Sequence, residues 1–199
     1  MNIENELKIA KIAALKAGSL LLNEKNILTK TVFTSKRDIK LEADICSENL
    51  IKEIISSKSL YPILAEESGK SQDNLDDIYW VVDPLDGTAN YARGLPLCCV
   101  SIALMSKTDP LLGVVYDFNN KDLYEGHTNG DAKLNNNLIK VSDINDSSNG
   151  ILVTGLPNKT DYSDKALLRM VKDFQQWKKV RMIGSAAIAS CYVASAKAD

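Results

Sequence analysis

The sequence is poor in metal-binding and redox-active side chains. It has a single histidine, His127, which excludes zinc sites rich in histidine and disfavours a histidine-dependent catalytic triad. Its four cysteines form no CxxC pair, so we expect reduced, buried thiols in a cytoplasmic protein. Any metal site must therefore be built from carboxylates, which favours Mg²⁺ or a similar hard cation.

Long apolar runs and blocks of like charge are also missing. No stretch approaches the roughly 20 apolar residues that span a bilayer, and the charged N-terminus does not have the apolar core of a signal peptide. The 24 basic and 26 acidic residues give a net charge of −2, with no basic stripe. We therefore expect neither a membrane nor a nucleic acid as the primary partner.

The remaining composition is that of an ordinary soluble protein, with 45% apolar and 25% charged residues among 199. Apolar residues at helical spacing predict a long amphipathic helix from Ile3 to about Lys25. A second helix is predicted from Asp44 to about Ser57, with Asp44 as its helix-starting carboxylate. Two further helices are predicted near the end, over 163–176 and within SAAIASCYVASA.

Between the helices the apolar period changes, which predicts a strand-rich middle. The runs YPILAEES, YWVVDP, CCVSIALM and LLGVVYDF are short, rich in β-branched residues and bounded by turn formers. DLYEGHTN and KLNNNLIKVS are typical of hairpin strands, and NGILVTGLP and KVRMI of later strands. Helices at both ends around these strands predict a layered α+β or α/β sandwich. No linker justifies a division, so 1–199 is predicted to be one domain.

Two of the predicted strands end in acidic residues. One runs into Glu66 and Glu67, and the next into Asp83, followed by Asp86 in the segment DPLDGT (83–88). A proline that fixes φ and a glycine that permits close backbone approach can aim both aspartates at one point. Carboxylates that close repel one another unless a cation lies between them or one takes a proton. The segment therefore predicts a metal and phosphate loop.

A purely conformational interpretation of this loop stays open, because Asp, Pro and Gly are common turn formers. An EF-hand is disfavoured, since Gly94 stands where that loop needs its bidentate glutamate. The glycine-rich motifs of P-loop and dinucleotide-binding proteins are absent from the sequence.

The stretch WVVDPLDGTANYARGLP, preceded by LAEESG, closely resembles the signature of the inositol monophosphatase family of Mg²⁺-dependent phosphatases. The resemblance continues through DIKLEAD, GVVYDF, NNNLIKVS and GSAAIASCYVASAKAD, and so covers nearly the whole chain. It implies the layered α-β-α-β sandwich of sugar phosphatases, a homodimer, sensitivity to lithium, and a small phosphorylated metabolite as substrate. It also implies hydrolysis of a phosphate monoester by two-metal activation of water.

The resemblance assigns roles to individual residues. Glu66, Asp83 and the Leu85 carbonyl resemble the ligands of one Mg²⁺, and Asp83 with Asp86 those of a second. Thr88 and Asp44 resemble the pair that activates the attacking water, with Glu66 as a further catalytic residue. The substrate contacts implied are listed by position: Asp86, Gly87, Thr88, Gly184, Ser185 and Ala186. The last three lie at the start of a predicted helix, whose N-terminus attracts anions.

The NYARGLP continuation favours inositol 1-phosphate as substrate. Three other esters stay open: 3′-phosphoadenosine 5′-phosphate, fructose 1,6-bisphosphate and histidinol phosphate. Family members continue past Asp199 into a Trp-Asp-x-x-x-Gly motif whose aspartate completes the second metal site. Because this sequence stops earlier, we expect weak binding of the second Mg²⁺ and at most marginal turnover, and a regulatory or binding protein of the same fold is the alternative.

Other residues carry simpler expectations. Glu67 is interpreted as either a supporting carboxylate or a surface charge, and His127, in a Gly/Asn-rich turn, as exposed and inert. Lys36 and Arg37 are placed either at the rim of the site or in a solvated loop. Cys98 and Cys99 are predicted to pack in a buried strand.

Overall fold

The computed structural model describes residues 1–34, 39–71, 75, 77–156 and 160–199, so Lys36 and Arg37 lie outside the described residues. The helices are α1 (Ile3–Asn23), α2 (Lys25–Leu28), α3 (Glu42–Ser56), α4 (Thr88–Arg93), α5 (Asp164–Phe174) and α6 (Ala186–Ala194). The strands are β1 (Thr31–Thr34), β2 (Ile39–Leu41), β3 (Ile63–Ala65), β4 (Gly69–Lys70), β5 (Ile78–Asp86), β6 (Cys99–Ser106), β7 (Asp109–Asp117), β8 (Asp122–His127), β9 (Lys133–Leu134), β10 (Asn137–Leu138), β11 (Ile151–Thr154) and β12 (Lys179–Met182). A 3₁₀ turn covers Ser147–Asn149.

The central sheet confirms the predicted strand-rich middle. Its order is β10-β9-β8-β7-β6-β5-β3-β4, with β3 and β5 parallel and the other neighbours antiparallel. β3 and β5 therefore bring their carboxyl ends, and the acidic residues that follow or close them, to the same edge of the sheet. This shared edge positions the site.

Helices cover the two faces of that sheet. On one face α1 and α3 pack together, and Tyr116 of β7 packs against Gly18 of α1. On the other face Gly113 and Val115 line a shallow cavity with residues of α6, since successive side chains of a strand point to opposite faces. Beyond α6 lies a small parallel sheet of β11 and β12, which α5 connects. The layers follow the predicted α-β-α-β order.

The hydrophobic core lies between the central sheet and the helices α1 and α3. α1 begins after Asn2, whose side chain accepts a hydrogen bond from the Asn5 amide, and buries its apolar stripe. The large side chains with less than 2% exposure include Trp80, Leu104 and Tyr91. Burying a large apolar side chain contributes roughly 1.5–3 kcal/mol, so this cluster holds the strands and α1 together. Across the described ranges, no helix combines the length and hydrophobicity that crossing a membrane requires.

Two local expectations are wrong and one is confirmed. Asp44 is not the helix-starting residue: α3 begins at Glu42, and Asp44, in its first turn, accepts a hydrogen bond from the Leu41 amide at 2.7 Å. His127 is not exposed, because α1 passes close enough for Glu4 to lie 3.4 Å from its Nε2. Cys98 and Cys99 are buried and unpaired, as predicted.

Candidate active site

The turn that ends β5 is fixed by two hydrogen bonds, one within the turn and one from α3. Pairing between β5 and β6 shifts register between Asp83 and Asp86, so the intervening residues leave the regular ladder. The Leu85 amide donates to Asp83 Oδ1 at 3.1 Å, which closes a local turn. Ser47 of α3 donates its hydroxyl to the Pro84 carbonyl at 2.8 Å, fixing the turn from beneath.

Asp83 is in the most unfavourable electrostatic position of the turn. Burial, followed by the charges of Glu66 and Asp86, raises the pKa of Asp83 to about 8, and a hydrogen bond with Glu66 acts in the same direction. The Leu85 amide only partly offsets these effects. A carboxylate placed this way takes up either a proton or a cation, and a set of oxygen ligands suits Mg²⁺. The donor chemistry therefore fits the predicted metal.

Thr88 joins this turn to α3. Its Oγ1 lies 3.0 Å from Asp44 Oδ1 and 3.0 Å from the Leu85 carbonyl oxygen, so its single proton can serve only one of them at a time. Asp44 is 2% exposed, and desolvation raises its pKa to about 6 although the Leu41 amide and the Thr88 hydroxyl act against that rise. The structure thus brings the predicted pair, Thr88 and Asp44, into direct hydrogen-bond contact.

Gly87 makes the link between β5 and α4 possible. Its φ is +90°, in the left-handed region, and a Cβ added there would stand 2.6 Å from the Leu97 carbonyl oxygen. α4 begins at the next residue, Thr88. The backbone therefore turns sharply enough to place Asp86 and Thr88 on the same wall.

Gly87→Ala is expected to destabilise the fold by about 2–5 kcal/mol, because backbone strain and a backbone clash add together. Gly94 provides a matched control: its φ is +75°, but nothing lies within 4 Å of an added Cβ. Gly94→Ala should cost only about 1–2 kcal/mol of strain. Urea unfolding of both variants measures the difference, and equal losses would contradict the proposed close approach at Gly87.

Asp86 is hydrogen-bonded to the start of α6, where Ser185 lies 99 residues further along the chain. The Ser185 hydroxyl donates to Asp86 Oδ2 at 2.5 Å and the Ala187 amide donates to the same oxygen at 2.7 Å, while the Ala186 amide lies 3.3 Å from Oδ1. The first amides of α6 therefore point at this carboxylate, which stabilises the positive end of the helix. Among the described residues, Oδ1 has just this one long hydrogen-bond contact.

Most of the predicted residues meet at one cavity of about 750 Å³. Its lining includes seven of them: Glu66, Asp86, Gly87, Thr88, Gly184, Ser185 and Ala186. Asp44, Asp83 and Leu85 are not among the described lining residues, and they support the wall through Thr88 and Glu66. Within the described ranges, no three acidic, cysteine or histidine side chains already form a group spaced for a metal ion. The carboxylate of Asp86 is instead hydrogen-bonded to the start of α6.

Sequence reasoning missed several contributors to this site, three of which lie close to the proposed metal ligands. Ser47 and Glu48, at three and four residues after Asp44, lie on the same face of α3, and helical spacing was the signal that could have found them. Cys99, interpreted only as packing, has its Sγ 3.8 Å from Asp86 Oδ2. Glu67 is a supporting residue: it forms an ion pair with Lys40, and its amide donates to Glu48.

The same fold and sequence pattern occur in known proteins. Residues 2–199 match the inositol monophosphatase family. The "Nus factor SuhB" of Pasteurella multocida is 37% identical over 97% of this chain and 74% of its own length. The Aquifex aeolicus protein named "Fructose-1,6-bisphosphatase/inositol-1-monophosphatase" is 33% identical over the same shares. The solved inositol monophosphatase of Anabaena (Nostoc) sp. PCC 7120 has a TM-score of 0.86 and 35% identity, covering 100% of this chain and 74% of that one.

Proposed function

Since the chain belongs to the inositol monophosphatase family and has the fold of its phosphatases, we propose that it hydrolyses a phosphate monoester in a Mg²⁺-dependent reaction. The observation that carries this proposal is the Thr88 hydroxyl, 3.0 Å from both the Asp44 carboxylate and the Leu85 carbonyl oxygen. Thr88 lines the same cavity as Glu66 and Asp86. A hydroxyl able to orient an attacking water, a carboxylate able to accept its proton and an acidic wall thus share one crevice.

Four groups would hold the metal: the carboxylates of Glu66, Asp83 and Asp86 and the Leu85 carbonyl. Their support is chemical, since they are all oxygen donors and the electrostatic position of Asp83 favours a cation. When bound, Mg²⁺ lowers the pKa of a coordinated water and stabilises charge on a phosphoryl oxygen.

The protein itself orients the attacking water. If the Leu85 carbonyl is engaged by a cation, the Thr88 proton goes to Asp44, and the Thr88 oxygen is left to accept a hydrogen bond from water. Asp44 then serves as the proton acceptor at the end of this relay, and Glu66 lines the same cavity as a further catalytic carboxylate. The roles are those that the family resemblance implies.

The phosphate would be held by the amides of Gly87 and Thr88, and the remainder of the substrate by the segment 184–186. Gly184 and Ala186 are exposed on the cavity wall, whereas Ser185 is 4% exposed and directed at Asp86. We propose inositol 1-phosphate as the preferred substrate. Fructose 1,6-bisphosphate is supported by the name of the Aquifex aeolicus relative. 3′-Phosphoadenosine 5′-phosphate and histidinol phosphate complete the panel to be tested.

Phosphate release from these four esters tests the proposal. We expect slow but measurable phosphate release that requires Mg²⁺, stops on chelation and is inhibited by lithium, with the highest kcat/KM on inositol 1-phosphate. A higher kcat/KM on another ester would show that the substrate assignment is wrong, while the proposed reaction would stand. A folded, Mg²⁺-loaded chain that hydrolyses none of the four would contradict the proposal.

A second candidate function is binding or regulation without turnover, and it is favoured by relatives at up to 37% identity that carry the name "Nus factor SuhB". The two candidates differ in their dependence on Thr88. A binding role tolerates Thr88→Ala, whereas hydrolysis does not. If Thr88→Ala still replaced the wild-type protein in cells while hydrolysing no ester, the binding role would be favoured.

We also propose a cytoplasmic homodimer. The free state of the four cysteines supports a reducing compartment, and the family resemblance supports the dimer. Light scattering on a gel-filtration column measures the mass in solution, and the mass of one chain would contradict the dimer.

A further inference from the structure

Helix α3 carries two buried polar residues that contact the site without belonging to its proposed ligands. Ser47 is 0% exposed and Glu48 is 2% exposed, and both share a face of the helix with Asp44. Buried polar groups are costly unless they are hydrogen-bonded, so their partners indicate their role. Both partners are backbone groups of the two loops that carry the proposed metal ligands.

Glu48 fixes the loop after β3. Its Oε2 accepts a hydrogen bond from the Glu67 amide at 2.9 Å, which holds the peptide group that directly follows Glu66. On the preceding side, the Glu66 amide donates to the Val82 carbonyl at 3.0 Å. Both peptide groups flanking Glu66 are thus held, one by β5 and the other by α3. The backbone from which the Glu66 side chain projects is therefore fixed.

Ser47 does the same for the turn after β5. It donates to the Pro84 carbonyl, between Asp83 and Asp86, at 2.8 Å. One helix therefore holds both loops at adjacent residues, so the distance between the proposed ligands on those loops depends on α3.

Packing alone does not account for a carboxylate at position 48. Glu48 is buried, it shares the surroundings of Lys40 with the acidic residues Glu67 and Asp44, and its one ion pair among the described residues is with Lys52 at 3.8 Å. Lys52 in turn donates to Ser68 at 2.8 Å and so binds α3 to the same loop a second time. An apolar side chain would fill the space without the cost of burying a charge. The hydrogen bond to the loop is what an apolar residue could not supply.

We infer that Ser47 and Glu48 are positioning residues that set the spacing between Glu66 and the Asp83–Asp86 turn. The inference rests on the proposed function, because it concerns the metal ligands assigned there. Partners that orient metal ligands typically account for roughly 10- to 100-fold in metal affinity.

Binding of Mn²⁺ to the full chain, measured by titration calorimetry, tests the inference without any assay of turnover. Glu48→Met removes the acceptor at similar size, and Glu48→Gln keeps an acceptor oxygen but removes the charge. We expect Glu48→Met to lose roughly 10- to 100-fold in Mn²⁺ affinity and Glu48→Gln to stay within about threefold of wild type. Ser47→Ala should also lower the affinity for Mn²⁺.

Ser59→Ala is the matched control, because the Ser59 hydroxyl accepts a buried hydrogen bond from Trp80 Nε1 at 3.0 Å, away from the loops. It should lower the melting temperature about as much as Ser47→Ala and leave Mn²⁺ affinity unchanged. Unchanged affinity in folded Glu48→Met and Ser47→Ala would overturn the inference. Equal losses in Glu48→Gln and Glu48→Met would also overturn it, because charge rather than position would then be the cause. If the variants showed the expected pattern of Mn²⁺ affinities but the wild-type chain hydrolysed no ester, only the proposed function would be contradicted.

Discussion

Asp83→Asn is expected to abolish tight Mg²⁺ binding and, with it, phosphate release. Asp83 is the residue assigned to both metal positions, and burial together with the charges of Glu66 and Asp86 makes it the group most in need of a cation. Asparagine keeps the shape and one oxygen but removes the charge. Loss of an outer partner of a metal ligand already costs roughly 10- to 100-fold in affinity, so loss of a bridging ligand should cost at least about 100-fold. Titration calorimetry with Mg²⁺ measures it.

Thermal unfolding without Mg²⁺ separates this effect from misfolding. The substitution replaces a carboxyl group, whose ionised form is disfavoured by burial and by the charges of Glu66 and Asp86, with a neutral amide of the same shape. The variant should therefore melt no lower than the wild type in the absence of metal, and added Mg²⁺ should raise its melting temperature less. Unchanged Mg²⁺ affinity in this variant would show that the bridging assignment is wrong.

Thr88→Ala is expected to lower turnover by roughly 100-fold or more, the usual scale for a positioned proton-transfer group. The change removes a hydroxyl that contacts Asp44 and the Leu85 carbonyl, and it leaves the three acidic ligands in place. Mg²⁺ affinity should therefore change little. Steady-state kinetics at saturating Mg²⁺ measures the loss in kcat.

Thr88→Ser is the control for that experiment, because it keeps the hydroxyl and removes only a methyl group. It should retain most of the turnover. If Thr88→Ala instead lost metal binding together with turnover, Thr88 would belong among the metal ligands. If both variants turned over at the wild-type rate, the relay to Asp44 would play no part.

The site was predictable as far as its geometry is local. The segment 83–88 combines a proline, a left-handed glycine and two aspartates within six residues, and its turn follows from their backbone preferences. That Glu66 lies beside Asp83 follows from two neighbouring parallel strands, whose carboxyl ends meet at one edge. The acidic residues at the carboxyl ends of these two strands were therefore sufficient to locate the crevice.

Features that depend on tertiary contacts were not predictable in this way. The bond between Asp86 and Ser185 joins residues 99 positions apart, so no local pattern contains it. A glutamate such as Glu48 in an amphipathic helix normally faces solvent, and only the loop packed against α3 makes it a buried acceptor. His127 was expected to be exposed because its turn is polar, yet α1 covers it. α4 was missed because six residues between two glycines are too few for a clear helical period.

Anomalous diffraction from crystals soaked in Mn²⁺ tests the central assignment most directly, because it locates the cation independently of any substrate. The account predicts a peak within coordination distance of Glu66, Asp83 and the Leu85 carbonyl oxygen, with Thr88 and Asp44 beside it but outside its coordination sphere. It also predicts that any second, weaker peak lies between Asp83 and Asp86. An ordered crystal at saturating Mn²⁺ with no peak at Asp83, or with its peak elsewhere on the molecule, would contradict the account.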